Sequence, residues 1–298
     1  MSNILTLIAN PATPSLTEDV VSGYATGLVG VSGLRWLSEG VAVDIHFDSD
    51  LDTARQDLQE DLLTEDFDFA FQAAEDRTKK LLVADMDSTI IQCECIDELA
   101  DYAGLKPKVA AITEAAMRGE LDFESALRER VGLLKGMEAS VLETVYQERV
   151  RLMPGAKVLI KTMNAKGANT VLVSGGFTFF TGKVAAVTGF QTNRANVLEI
   201  KDGKLTGQVM DPVVDSSTKL NSLKEFRQLG NLSPAQVMAV GDGANDIPMI
   251  REAGVGIAYH PHPAAAEAAD ITLRHADLTA LLYLQGYADE DFITSQAT

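Results

Sequence analysis

Asp85 and Asp87 stand one residue apart at the end of a short apolar run, Leu81-Leu82-Val83-Ala84. The run reads as a buried strand. In an open parallel sheet, ligands sit in the crevice beyond the carboxyl ends of the strands. Two carboxylates this close repel each other, and both stay ionised at neutral pH most readily beside a cation. Their hard oxygen ligands favour Mg²⁺. Asp-x-Asp is also common in ordinary solvated loops, so the pair needs partners elsewhere in the chain.

Those partners recur at comparable places. Ala168-Asn169-Thr170-Val171-Leu172-Val173 reads as a strand ending in a turn at Ser174-Gly175-Gly176. There a hydroxyl and free backbone N–H groups can approach a phosphate. Gln236-Val237-Met238-Ala239-Val240 is another strand, ending at Gly241-Asp242-Gly243. Asp242 supplies an acidic oxygen for a metal near Asp85. Asn245 and Asp246 open the next helix, Asp246 being placed to orient ligands or bound water. Lys219, in Asp215-Ser-Ser-Thr-Lys219, brings a positive charge to a helix start. Each feature alone is ordinary; their order, each at a strand end or helix start, is the signal.

The elements that must position these groups alternate. From Pro154 onward strands and helices succeed one another, with short strands at Val255-Gly256-Ile257-Ala258 and Ile271-Thr272-Leu273. That pattern predicts an α/β fold with a parallel sheet and helices on both faces. A hairpin from Val197 to Val209 turns at Asp202-Gly203. Between the first two strands, Glu94 to about Val150 reads as helical. Pro107 suits a first helical turn, in a helix stopping at Gly119. Asp122 caps the next, which sets Phe123, Leu127, Arg130 and Leu134 on one face. A fourth helix runs from about Ala139 to Arg149. Arg130 therefore falls on an apolar stripe, where a guanidinium needs an anion. That anion is either a ligand or a neighbouring Glu.

Residues 1–75 form a separate unit. Asn3 to Ala9 reads as a strand, followed by a helix after Ser15 with Glu18 completing a capping box. Leu34–Ser38 and Val41–Phe47 make a strand pair joined at Glu39-Gly40, Asp50 caps a helix from Leu51 to Leu63, and Phe67–Phe71 is a last strand. The order β-α-β-β-α-β is the ferredoxin-like pattern. It resembles the small ACT-type modules that bind amino acids, and a dimerisation or packing role is equally open. Residues 72–80 are polar and charged and read as the linker.

The 298 residues suit about two domains. A net charge of −18 argues against a general nucleic-acid or anionic-membrane binder. No run is long enough to span a membrane, and the N-terminus lacks signal-peptide character. Cys93 and Cys95 are too close for an ordinary disulfide and too few for a zinc site, so a reducing cytoplasm is expected.

With these residues assembled, the chain resembles the haloacid dehalogenase superfamily of phosphotransferases. Asp85-Met86-Asp87-Ser88-Thr89 is similar to its first motif, Ser174-Gly175-Gly176-Phe177 to its second, Lys219 to its third and Gly241-Asp242-Gly243-Ala244-Asn245-Asp246 to its fourth. Glu94-Cys95-Ile96-Asp97-Glu98-Leu99-Ala100 and Phe123 to Val131 resemble the cap of the branch that hydrolyses phosphorylated serine. The resemblance covers residues 80 to 285. It implies a Rossmann-like core over 80–298 with a helical-bundle cap insertion at about 93–152. Further, it implies Asp85 as nucleophile forming an aspartyl-phosphate and Asp87 as proton donor and then base. Mg²⁺ is implied on the Asp85 carboxylate, the Asp87 main-chain carbonyl and Asp242. Ser174, Gly175 and Lys219 brace the phosphoryl oxygens, with Asn245 at the same end.

Glu94 and Arg130 would meet an ammonium and a carboxylate, the charge pattern of an α-amino acid. Met117 and Phe123 look like the apolar surface closing over it, with plain cap packing as the alternative. The expected partner is therefore the small molecule O-phosphoserine. The nearest alternative is a relative acting on another small phosphomonoester, or transferring the phosphoryl group to an alcohol. From another class, the chain would be a non-catalytic amino-acid sensor; the intact Asp85, Asp87, Lys219 and Asp242 speak against that.

Overall fold

A computed structural model describes residues 2–117 and 120–294, apart from the side chains of 115–117. It contains two sheets. The larger has seven strands, built around β5 (Leu81–Ala84), β6 (Asn169–Phe177), β7 (Thr192–Lys201), β8 (Lys204–Met210), β9 (Val237–Gly241), β10 (Val255–Tyr259) and β11 (Ile271–Leu273). Their order is β11-β10-β9-β5-β6-β7-β8, parallel except for the antiparallel β7–β8 edge. Every side chain of β5 is buried, as a strand covered on both faces requires. Leu82 and Ala84 join one apolar layer with Leu172, Met238 and Val240. The alternate residues Leu81 and Val83 join the other, with Val171, Val237, Leu223 and Met249. An α/β fold with a mainly parallel sheet is thus the architecture.

The predicted strand neighbours are neighbours. β5 lies between β9 and β6, with Ala84 opposite both Val240 and Leu172. The chain does not turn at Ser174-Gly175-Gly176: β6 runs on to Phe177, with a register shift against β7 between Val173 and Phe177. The glycines serve a bulge inside a strand rather than a turn at its end. β7 is also longer than the hairpin foreseen from Val197, because the strand that pairs β6 continues into it. Asp202 and Gly203 form its turn, with φ of 51° and 75°.

Five helices of the described chain lie between β5 and β6: α3 (Cys95–Tyr102), α4 (Lys106–Met117), α5 (Phe123–Gly132), α6 (Ser140–Arg149) and α7 (Ala156–Ala165). Asp122 caps α5, accepting from the Ser125 N–H at 2.9 Å. The predicted stop of α4 at Gly119 lies outside the described residues. The loop between α5 and α6 is strapped to the β7–β8 hairpin. Gly136 N–H donates to Leu205 O, Leu205 N–H to Met137 O and Ala139 N–H to Gly203 O, at 2.7–2.9 Å.

The smaller sheet contains β1 (Asn3–Ile8), β2 (Gly33–Ser38), β3 (Ala42–Phe47) and β4 (Asp68–Ala73), in the order β2-β3-β1-β4 and all antiparallel. Helices α1 (Glu18–Thr26) and α2 (Leu51–Leu62) cover one face. Asp50 caps α2 as expected. Ser15 does not cap α1. Leu16 is buried and its N–H is held by Gly40 O at 3.1 Å, so the chain stays extended there. Thr17 caps instead, accepting from Val20 N–H.

The opposite face of this sheet contributes Ile8, Ala42 and Ala70 to the apolar layer that contains Leu82. The stretch read as a linker is anchored rather than loose. Arg77 is buried and donates to both carboxylate oxygens of Asp44, to Thr6 Oγ1, and to the carbonyls of Tyr283 and Leu284. No described helix is long and apolar enough to cross a membrane.

Candidate active site

Because β9, β5 and β6 lie side by side, Asp242 and Asp85, just past the ends of β9 and β5, and Ser174, at the bulge within β6, reach one crevice. Lys219 reaches it from the helix Ser216–Leu229, whose N-cap is Asp215 accepting from Thr218 N–H. Lys219 is fully buried, with Nζ 2.8 Å from Asp85 Oδ1 and 2.6 Å from Asp246 Oδ1. Burial opposes its charge, but the carboxylates of Asp246 and Asp85 more than offset this and raise its pKa.

Asp246 has no oxygen to spare. Its Oδ1 takes the Lys219 ammonium, and its Oδ2 accepts from the N–H groups of Asp242 and Gly243 at 3.2 and 3.1 Å. It therefore orients Lys219 and the Gly241–Gly243 loop. Asp242 accepts from Thr89 Oγ1 at 3.0 Å. Burial, and then the charge of Asp246, push the Asp242 carboxyl up to about 6. Asp85 is raised well above the carboxylate range, first by burial and then by Asp246, with Lys219 opposing.

These shifts describe excess negative charge. Asp85, Asp87, Asp242 and Asp246, all buried, face a single buried ammonium, that of Lys219. Oxygens of Asp85, Asp242 and Asp246 lie within 4.8 Å of one another. Among the described residues Asp85 Oδ1 meets only the Lys219 ammonium, at 2.8 Å. Four buried carboxylates around one ammonium, three of them with oxygens this close together, fit a hard divalent cation.

The Asp87 carboxylate points elsewhere. Its Oδ1 accepts from Cys95 N–H at 2.9 Å and its Oδ2 from Ser174 Oγ at 3.1 Å. Burial raises its pKa, and those hydrogen bonds oppose the shift. The two neighbouring acids are thus held by different partners. Ser174 also accepts from Gly176 N–H at 2.8 Å. A β-carbon on Gly176 would sit 2.6 Å from Asp87 Oδ2, so the close approach admits only glycine.

Helices α3 to α6 supply the roof. Glu94 precedes α3 at the exposed mouth, accepting from Ser88 Oγ at 2.7 Å. Its carboxyl is pushed up to about 8 by desolvation and then by Asp87. Phe123, at the start of α5, lies over the second motif: its Cζ is 3.1 Å from where a Gly175 β-carbon would be. Arg130 is half-buried, with Nε donating to Ala126 O at 3.2 Å. Burial lowers its pKa, while Asp97 and Glu94 raise it. Among the described residues no carboxylate forms an ion pair with Arg130. Asn245 sits half-buried beyond β9. The side chain of Met117 lies outside those described.

Sequence reasoning missed several residues here. Thr89 and Ser88 hold Asp242 and Glu94. Their place directly after Asp87 was the available signal. Cys95 contributes its backbone N–H, which no residue type reveals. Asn196, on β7, contacts Gly175 from a distant part of the chain.

Comparison with known proteins gives the same assignment at each level. Residues 82–251 match the haloacid dehalogenase-like hydrolase family. A phosphoserine phosphatase of Polaromonas sp. is 48% identical over 211 residues, covering 69% of this chain and 89% of that protein. The crystal structure of a HAD family hydrolase from Salmonella enterica serovar Typhi has a TM-score of 0.84 at 29% identity, over 95% of this chain and 98% of that one. A probable phosphoserine phosphatase from Vibrio cholerae, in unliganded form, has a TM-score of 0.77 at 31% identity, over 97% and 88%. On a family match spanning most of the large sheet and a relative covered almost end to end, the chain belongs to the haloacid dehalogenase-like hydrolase family.

Proposed function

We propose that the chain is a phosphomonoester hydrolase that cleaves O-phosphoserine to serine and phosphate. The observation that carries this reading is a half-buried guanidinium, Arg130, which pairs with no carboxylate among the described residues, in the helical roof over the buried Asp85–Lys219–Asp242 cluster. Below lies the chemistry of phosphoryl transfer; above lies a cation suited to a substrate carboxylate. Glu94, at the same mouth, suits the ammonium. The phosphoserine phosphatases among its relatives support the same substrate.

In this reading the Asp85 carboxylate attacks phosphorus, forming an aspartyl-phosphate as the serine oxygen leaves. Asp87 gives that oxygen a proton, then takes one from the water that breaks the acyl-phosphate. Its burial supports the first role, since a raised pKa keeps the proton available. Ser174, the Gly175 N–H and Lys219 hold the phosphoryl oxygens as charge develops, each preorganised donor being worth roughly 3 kcal/mol. Mg²⁺ would be held by the Asp85 carboxylate, the Asp87 main-chain carbonyl and Asp242, with Asp246 orienting. When bound, it offsets the repulsion between the anionic nucleophile and the anionic phosphate. Asn245 lines the phosphate end, and Met117 and Phe123 close over the amino acid.

The boundaries at 75 and 80, the cap at about 93–152 and an ACT-like, ferredoxin-like first unit belong to this proposal. Element order and antiparallel pairing support the last. That unit binds an amino acid, mediates dimers or packs, and the free thiols of Cys93 and Cys95 suit a reducing cytoplasm. A phosphate-release assay across O-phosphoserine, O-phosphothreonine and sugar phosphates, with and without Mg²⁺, tests the whole. Turnover of sugar phosphates in preference to O-phosphoserine would overturn the substrate assignment.

A further inference from the structure

Asn196 is fully buried, and none of the chemistry above uses it. It sits on β7 opposite Phe177, where the β6–β7 register resumes after its interruption. Val173 pairs with Arg194 and Phe177 with Asn196, so β6 spends four residues where β7 spends two. A bulge of that kind leaves backbone groups without ladder partners. The Asn196 side chain takes up one of them, the Gly175 carbonyl, and both polar groups of the Val214 backbone. Its Nδ2 donates to Gly175 O at 2.8 Å and to Val214 O at 3.3 Å, and its Oδ1 accepts from Val214 N–H at 2.8 Å.

The Gly175 carbonyl shares a planar peptide unit with the Gly176 N–H, and in a trans peptide the two point in opposite directions. Holding the carbonyl toward Asn196 therefore aims the N–H at Ser174 Oγ, 2.8 Å away. Ser174 in turn donates to Asp87 at 3.1 Å. On its other side Asn196 grips Val214, next to Asp215, the N-cap of the helix carrying Lys219.

We infer that Asn196 is a positioning residue, which sets the Gly175–Gly176 peptide plane and hence Ser174 and Asp87, and registers that loop against the helix of Lys219. The inference rests on the proposed phosphoryl-transfer roles of those residues. It predicts a loss expressed in turnover more than in binding, because Arg130, Glu94 and Phe123 are left in place.

The test compares the wild type with Asn196→Asp, which keeps an acceptor for Val214 N–H but loses the donor to Gly175. Asn196→Ser, smaller and lacking the same amide, serves if the first does not fold. The expected result is a kcat per folded molecule about 10–100-fold lower, the cost of a small misplacement in a reacting group, with KM changed far less. Hydrogen exchange at Gly175–Phe177 should be faster in the variant, with the rest of β6 unchanged. A folded variant with wild-type kcat and wild-type exchange at Gly176 would overturn the inference. A lower melting temperature with unchanged kcat per folded molecule would also overturn it, leaving a merely structural role. If the wild type hydrolyses no phosphomonoester, the functional reading fails separately, while the exchange comparison still decides whether Asn196 sets this peptide.

Discussion

Asp85 and Asp87 are separated by one residue, yet they meet different partners. Asp85 faces Lys219 and the acidic cluster; Asp87 is held by Cys95 N–H and Ser174. Asp85→Asn should therefore remove turnover almost completely, by about 10³-fold or more, while leaving the fold intact, because the amide cannot attack phosphorus. Steady-state kinetics and a melting curve check this together, and full activity would sink the covalent mechanism. The cluster also sets a pH dependence. In the metal-free chain burial and the charge of Asp246 push the Asp242 carboxyl up to about 6, above its unfolded value. Between the unfolded and folded pKa the native state holds protons that the unfolded chain has released, so stability falls as pH rises through that window. Mg²⁺ needs ionised ligands, so its stabilising effect should grow over the same range. Melting temperatures at pH 5 and pH 8, with and without excess Mg²⁺, should show a larger metal-induced rise at pH 8. Equal rises would argue against Asp85 and Asp242 as its ligands.

At the level of elements, the roof is tied at one end. The α5–α6 loop is hydrogen-bonded to the β7–β8 hairpin, and Arg128 of α5 pairs with Glu124 and with Asp211 just beyond the hairpin. Those ion pairs are solvent-exposed and contribute little on their own. Packing at Gly207 matters more. Its φ is +82°, and a β-carbon there would lie 2.8 Å from Lys135 Cβ. Gly207→Ala should cost about 1–3 kcal/mol through backbone strain and the clash. Because the strap also holds α5, with Arg130 and Phe123, KM for O-phosphoserine should rise, whereas kcat for a small aryl phosphate should stay near wild type. Arg130→Ala provides the companion measurement. It should impair O-phosphoserine hydrolysis while sparing the aryl phosphate, and equal loss on both would remove Arg130 from substrate recognition.

Across the whole molecule, the two sheets are joined through a buried charge. Arg77 spends its donors on Asp44, Thr6 and the carbonyls of Tyr283 and Leu284, so it bridges the small sheet and the C-terminal segment. Asp68 adds a second tie from β4, accepting from the N–H groups of Arg274, His275 and Ala276 at 2.7–3.0 Å. Removing one partner of a buried pair strands the other, so Arg77→Ala should destabilise the protein by about 3–5 kcal/mol. Urea denaturation followed by tryptophan fluorescence reads this directly, since Trp36, the single tryptophan, lies in the small sheet. An unchanged midpoint would show the junction to be energetically idle.

Much of this molecule was legible along the chain. The strand β5 and its two acids, the caps Asp50 and Asp122, the hairpin turn at Asp202-Gly203 and the β-α-β-β-α-β order all follow from local pattern. Such features depend on residues a few positions apart, where apolar period, side-chain caps and glycine conformations act. Other features depended on residues far apart in sequence. The Ser174–Gly176 bulge is set by its register with β7, and the cap of α1 moved from Ser15 to Thr17 because Gly40 pins Leu16. Arg77, one of several charged residues in an apparent linker, became a buried anchor only when Asp44 and the carbonyls of Tyr283 and Leu284 converged on it. Sequence by itself determined which groups could do the chemistry, since their types and their places at strand ends are local properties. The tertiary structure decided which way each carboxylate faces and what holds it there, because hydrogen-bond partners and burial come from segments up to some hundred and fifty residues away.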